Sequence, residues 1–211
     1  MTTPQTIAVL TGDLINSTAL EPAGIDRAMK ALEKAAKKIQ TWGVSPLHFT
    51  RHRGDGWQVM LDDPRWALRA AIYFRATLQA IESAAYIGIA EGDVSHTIGE
   101  NLNFENAEVF ALSGRALDNT KFTIYRINYS RDDVFDALMI LVNRICDSWT
   151  TTQAATVAAA FDSQDIFHDP TATEIAKQLG KSRQAVSKAL HSAWFWDLYE
   201  TLHLVERSYY D

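Results

Sequence analysis

Between Lys177 and Lys188 the chain places four cations, Lys177, Lys181, Arg183 and Lys188, with no acidic residue among them. Ammonium and guanidinium groups neutralise phosphates, while Arg, Gln and Ser side chains hydrogen-bond the edges of bases. Lys181, Ser182, Arg183, Gln184, Ser187 and Lys188 are therefore candidates for contact with double-stranded DNA. The residues around them show how they would be held. Ile175, Leu179, Val186 and Leu190 recur as a shared core, Ala176 is small where two helices would cross, Gly180 permits a turn, and Ser182 suits the N-cap of a second helix. That is a helix-turn-helix pattern whose second helix presents an open face near its N-terminus. A helical hairpin that only dimerises the chain is the alternative for the same residues.

Thr150-Thr151-Thr152-Gln153 offers caps for a preceding helix over the apolar run Ala154 to Phe161. From Trp149 to Ala193 the arrangement resembles sigma-factor region 4 and related bacterial regulators. The aromatic continuation Trp194-Phe195-Trp196-Asp197-Leu198-Tyr199 predicts that the second helix runs on and packs against another helix or subunit.

Composition limits the partners. The formal net charge is −6, which argues against general affinity for polyanions, so any contact with nucleic acid must be local. With 47% hydrophobic residues in 211, the chain can build one large or two small cores. No apolar stretch reaches the roughly 18 to 20 residues that cross a bilayer, so a soluble cytoplasmic protein without a membrane partner is expected. Cys146, the single cysteine, lies in an apolar helical pattern and reads as a core thiol, with neither a disulfide nor a cysteine-based zinc site available to it.

The first half alternates two periods. Ile7 to Leu10 reads as a buried strand ending in Thr11-Gly12-Asp13, and Gly24 to Trp42 as an amphipathic helix. His48 to Arg53 and Trp57 to Leu61 are strands joined by Gly54-Asp55-Gly56, where Asp-Gly favours a hairpin turn. Trp66 to Ile81 reads as a helix, Tyr86 to Ala90 as a strand, Ala107 to Leu117 as a helix and Phe122 to Ile127 as a strand. This order predicts an α+β domain of the ferredoxin-like or palm type over residues 1–130, with helices covering one face of an antiparallel sheet. Residues 131–211 then form an all-α helix-turn-helix domain.

Three fragments of the first half resemble class III nucleotide cyclases, in the same order: Val9 to Thr18 with its strand-ending Asp13, the hairpin Gly54-Asp55-Gly56-Trp57, and the strand Ile87-Gly88-Ile89-Ala90-Glu91-Gly92-Asp93-Val94. The resemblance implies that Asp13 and Asp55 hold Mg²⁺ or Mn²⁺ over a triphosphate. It places Arg115 at the phosphoryl-stabilising arginine and Arg51 at the purine-selecting lysine. It also puts Ala111 where the family has an asparagine and Phe104 where it has an aspartate, so the implied site is degenerate. Both halves together resemble the SatD family, on Gly12-Asp13-Leu14-Ile15-Asn16-Ser17 and Gln184-Ala185-Val186-Ser187-Lys188. The resemblance implies a homodimeric DNA-binding transcriptional regulator of bacterial type, whose cyclase-like domain regulates or assembles it. Two alternatives stand beside it. One is a metal-dependent nucleotide-binding enzyme with a DNA-sensing helix-turn-helix, and the other is a nucleotide-binding scaffold whose C-terminal helices contact protein.

Overall fold

A computed structural model of the chain describes residues 4–44, 46–52, 54–162 and 169–210. The first half runs β1 (Gln5–Leu14), α1 (Pro22–Gln40), β2 (Leu47–His52), β3 (Gly56–Leu61), α2 (Ala67–Gln79), β4 (Ala85–Val94), α3 (Glu108–Thr120) and β5 (Ile127–Ser130). The sheet order is β2-β3-β1-β4-β5. Its first four strands pair antiparallel, and β5 pairs parallel to β4.

Three details differ from the sequence expectation. The sheet is mixed rather than antiparallel, because β5 runs parallel to β4. Helices cover both faces of the sheet, not one. Ala8, Leu10 and Leu14 of β1 face a core shared with α1 and α2, while Ile7 and Val9 face a second cluster with Val109 and Phe110 of α3. The central strands bury both sides, which is why Ile7 to Leu10 is continuously apolar rather than alternating. The last strand also begins later than expected, at Ile127 instead of Phe122. Hydrogen bonds from the Phe122 and Thr123 amides to the Asn119 and Thr120 carbonyls prolong the end of α3, and Phe122 and Ile124 stay exposed.

The second half comprises α4 (Asp133–Asp147), α5 (Thr151–Asp162), α6 (Ala172–Leu179), α7 (Arg183–Ser192) and α8 (Phe195–Arg207). These helices share one hydrophobic cluster with α1, α2 and the sheet, and Phe161, Ile175, Leu190, Phe195 and Leu202 all belong to it. Asn143 of α4 accepts from the Ile127 amide at 2.9 Å and donates to the Ile127 carbonyl at 2.8 Å, tying α4 to β5. Cys146 is fully buried and its thiol is pushed up to about 12, first by loss of solvent, so it is an unreactive core group.

The helix expected to run through Trp194 is broken there. Trp194 adopts a left-handed backbone with φ of 55°, separating α7 from α8. The preceding carbonyl, that of Ala193, accepts from the indole Nε1 of Trp149 at 2.8 Å. A distant tryptophan thus takes up an acceptor at the helix end, and the chain turns so that Phe195 and Leu198 enter the core.

Candidate functional site

The two glycine-aspartate segments interlock. In the β1–β3 register Gly12 lies opposite Trp57 and Asp13 opposite Gly56. The Trp57 indole rests on Gly12 so closely that a Cβ there would meet its ring at 2.2 Å. Glycine at position 12 is therefore a packing requirement of the tryptophan. The hairpin tip is further held to the end of β1 by the Leu14 amide, which donates to the Asp55 carbonyl at 3.3 Å.

This arrangement brings Asp13 and Asp55 together. Asp13 is one-third exposed, and burial raises its pKa above the usual carboxylate value. The negative charge of Asp55 and a hydrogen bond between the two side chains raise it further, whereas Lys121 lowers it. Lys121 Nζ stands 3.7 Å from Asp13 Oδ2. Around them on the α3 side of the sheet, Thr11 Oγ1 lies 2.7 Å from Ser113 Oγ and accepts from Gln58 Nε2 at 3.3 Å.

Neither of the two arginines that the resemblance assigns to a nucleotide contacts the pair. Arg51 donates to the Gly54 carbonyl and pairs with Asp26 of α1, each at 2.9 Å. It shares the strand face of Phe49, which stacks on Trp57, and so lies on the opposite face from Asp13. Arg115 is exposed on α3 and forms neither a hydrogen bond nor an ion pair with Asp13 or Asp55. Ala111 and Phe104 are both exposed, Phe104 at 84%. The cation that does reach the carboxylates, Lys121, sits in Asp118-Asn119-Thr120-Lys121-Phe122, a segment without any motif.

Two carboxylates are too few for an all-protein cage, and among the described residues no group of three or more potential ligands gathers. They suit a hard divalent cation that keeps several waters and shares phosphate oxygens with its substrate, the usual condition of Mg²⁺. Lys121 in the meantime supplies part of the positive charge the pair requires.

The second locus is the surface of α6 and α7. A capping box starts α6, with the Thr171 hydroxyl accepting from the Glu174 amide and the Glu174 carboxylate accepting from the Thr171 amide. Gly180 ends it with φ of 62°, a left-handed conformation that a residue with a Cβ adopts at a cost. Ser182 then caps α7, its Oγ accepting from the Ala185 amide at 3.2 Å. Ile175, Val186 and Leu190 are fully buried against α5, and Leu179 packs at the edge. Lys181, Ser182, Arg183, Gln184, Ser187 and Lys188 are all exposed around the start of α7. The structure thus places the six together, on helices that pack against α5.

No family model and no curated protein matches the chain. Among solved structures it is similar to the active GGEEF domain of a diguanylate cyclase from Vibrio cholerae, at 13% identity and a TM-score of 0.45, over 61% of this chain and 85% of that one. It is also similar to two structures of a bacterial light-regulated adenylyl cyclase. One aligns at 12% identity and a TM-score of 0.46 over 61% of this chain and 44% of that one. The other aligns at 13% and 0.47 over 70% and 82%.

Proposed function

We propose that this chain is a metal-dependent nucleotide-binding protein built on a palm-type, cyclase-like domain, and that its helix-turn-helix contacts DNA. The observation that carries the first part is the convergence of Asp13, at the end of β1, on Asp55, at the tip of the β2–β3 hairpin. A raised carboxyl beside a second carboxylate is a site short of positive charge, and a divalent cation with a triphosphate supplies it. Asp13 and Asp55 would hold Mg²⁺ or Mn²⁺, and Lys121 would turn from Asp13 to the phosphates. The site lacks the asparagine expected at Ala111, a donor whose absence costs about 10²-fold or more in rate at comparable sites. Binding is accordingly expected to be stronger than turnover.

Titrating the full chain with each nucleoside triphosphate in Mn²⁺, and searching for cyclic nucleotide by mass spectrometry, tests this reading. Metal-dependent binding that disappears in Asp13→Ala supports it. Equal binding by both proteins would falsify it.

A second observation favours DNA contact as the output. The cations of α7 and its turn form no ion pair with any described residue, although acids outnumber bases in the chain as a whole. Unpaired cations around the capped N-terminus of an exposed helix suit phosphates and base edges. Reading paired half-sites would call for two copies of the chain.

A further inference from the structure

The longest helix of the chain carries its exposed cations in one row. Arg27, Lys30, Lys34 and Lys37 are spaced by three, four and three residues, which places them on a single face of α1, and all four are exposed. Lys38 adds a half-buried cation at the edge of the row. The opposite face, with Met29, Leu32, Ala36 and Ile39, is buried in the core. The two acids of the exposed side are Asp26, which is paired with Arg51 of β2, and Glu33, which lines a groove beside β2 together with Lys37 at the end of the row. None of the five α1 cations forms an ion pair with a described residue.

The other edge of α1 meets the helix-turn-helix. Ala31, Lys34 and Ala35 line a cleft together with Gln178 and Leu179, the last two residues of α6. Those two residues immediately precede the Gly180-Lys181 turn, so Lys34 stands beside the segment that leads into α7. The five cations of α1 and the four between Lys177 and Lys188 make up nine of the chain's twenty Lys and Arg. A chain of net charge −6 thus gathers nearly half its positive charge on two adjoining surfaces.

We propose that the exposed face of α1 is a second phosphate-contact surface, continuous with the helix-turn-helix, and that it grips the backbone of the same DNA duplex. The proposal rests on the DNA reading of α7. From Arg27 to Lys37 the row spans ~15 Å at 1.5 Å per residue, the length of about four or five base pairs. Lysines suit this task because each neutralises a phosphate as a point charge without demanding a fixed geometry. The row adds affinity and salt dependence but reads no sequence. Helix α1 is also followed in the chain by β2, the first strand of the hairpin that carries Asp55, which gives the nucleotide half a direct share in DNA contact.

The test uses the full chain and a duplex that binds it, followed by fluorescence anisotropy over a range of salt concentrations. The variants are Lys30→Gln/Lys34→Gln/Lys37→Gln and, separately, Arg183→Ala/Lys188→Ala, each checked for native circular dichroism. Glutamine keeps helix propensity and removes only charge. The α1 variant is expected to flatten the slope of log affinity against log salt by about 2.7, at about 0.9 per lost contact, with sequence preference unchanged. An unchanged slope, while the α7 variant still weakens binding, overturns the proposal and leaves the DNA reading standing. Failure of the wild-type chain to bind any duplex overturns both. If the α1 variant keeps its DNA slope but loses binding to vesicles containing phosphatidylserine, the row faces anionic lipid and the proposal is equally overturned.

Discussion

Lys121, at the C-terminal end of α3, stands 3.7 Å from Asp13 at the end of β1, and this contact opposes the effect of Asp55 on the same carboxyl. The balance sets a sign for stability. The folded-state pKa of Asp13 is raised above its unfolded value, first by burial and then by Asp55. Below the unfolded value both states are protonated and nothing is lost. As pH rises through the folded value, the unfolded chain gives up its proton more readily and the fold loses stability. Asp13→Asn removes that loss, so in the absence of metal its melting temperature at neutral pH should exceed that of the wild type, and the difference should vanish near pH 3. Added Mn²⁺ with a nucleoside triphosphate should stabilise the wild type and leave Asp13→Asn unmoved. Scanning calorimetry at several pH values, with and without metal, checks both statements. A variant less stable than wild type at neutral pH would contradict the first.

Gly88 decides how closely α3 approaches the sheet, and through it the position of Lys121. A Cβ on Gly88 would stand 2.1 Å from the Leu117 amide nitrogen and 2.3 Å from the Ser113 carbonyl. Both are backbone atoms, so relief requires the helix itself to move. Gly88→Ala should destabilise the fold by about 1 to 3 kcal/mol or more and should weaken nucleotide binding as Ser113 and Lys121 withdraw. Gly114→Ala is the control, since a Cβ there meets nothing within 4 Å. Denaturant unfolding of the two variants, with equal losses in both, would refute the close-approach argument.

These contacts show what was legible in the sequence. The hairpin around Asp55 is legible because Gly54-Asp55-Gly56 marks a turn, although the positive φ falls on Gly54, at 79°, and not on the Asp-Gly pair; the α6–α7 turn is legible because Gly180 and Ser182 are local signals. Lys121 was not readable, because its role depends on where α3 lies and no neighbouring residue announces that. Nor was the break at Trp194, a residue type that rarely takes a left-handed backbone. The contact that accompanies it comes from Trp149, whose indole bonds the carbonyl of Ala193, 44 positions further along the chain. The covering of the second sheet face was half-visible in the unbroken apolar run Ile7 to Leu10, which a strand exposed on one side would not carry. Counting back from Asp55 fixes the strand position of Arg51, but not the pairing of its guanidinium with Asp26, which depends on where α1 lies.

Arg69 of α2 and Glu206 of α8 form a buried pair, with side chains 2% and 8% exposed, and a second hydrogen bond joins Nη2 to Oε2 at 3.0 Å. The guanidinium also lies 4.9 Å from the Tyr199 ring centre and 5.8 Å from that of Trp66. Removing one member of such a pair strands the other charge away from water. Glu206→Ala should therefore cost about 3 to 5 kcal/mol. For a chain of this length that corresponds to about 6 to 20 °C in melting temperature. The joint Arg69→Met/Glu206→Leu variant should lose less than Glu206→Ala alone, since no charge is left unpaired. A thermal melt series separates the cases, and a larger loss in the double variant would show that the pair itself, not the orphaned charge, supports the junction.

The start of α7 gives the sharpest separation of roles. Arg183 occupies the first helical position behind the Ser182 cap, exposed and without an ion-pair partner among the described residues, where a recognition helix meets base edges. Lys181 lies in the turn before the cap, exposed, and an ammonium there suits a phosphate. If the helix reads DNA, Arg183→Ala should weaken binding to the preferred duplex by about 1 to 3 kcal/mol and narrow its advantage over unrelated sequences, because a forked donor to a base edge is lost. Lys181→Ala should weaken all sequences alike and reduce the salt slope by about 1. Neither residue is buried, so neither change should alter the fold, and circular dichroism confirms it. Competition binding between a selected duplex and a scrambled one, repeated across salt, distinguishes the two effects. If both variants lose affinity in parallel on every sequence, α7 contacts the backbone only and does not select a site. If neither loses any, the surface does not meet DNA, and the helical hairpin serves contacts between protein chains instead.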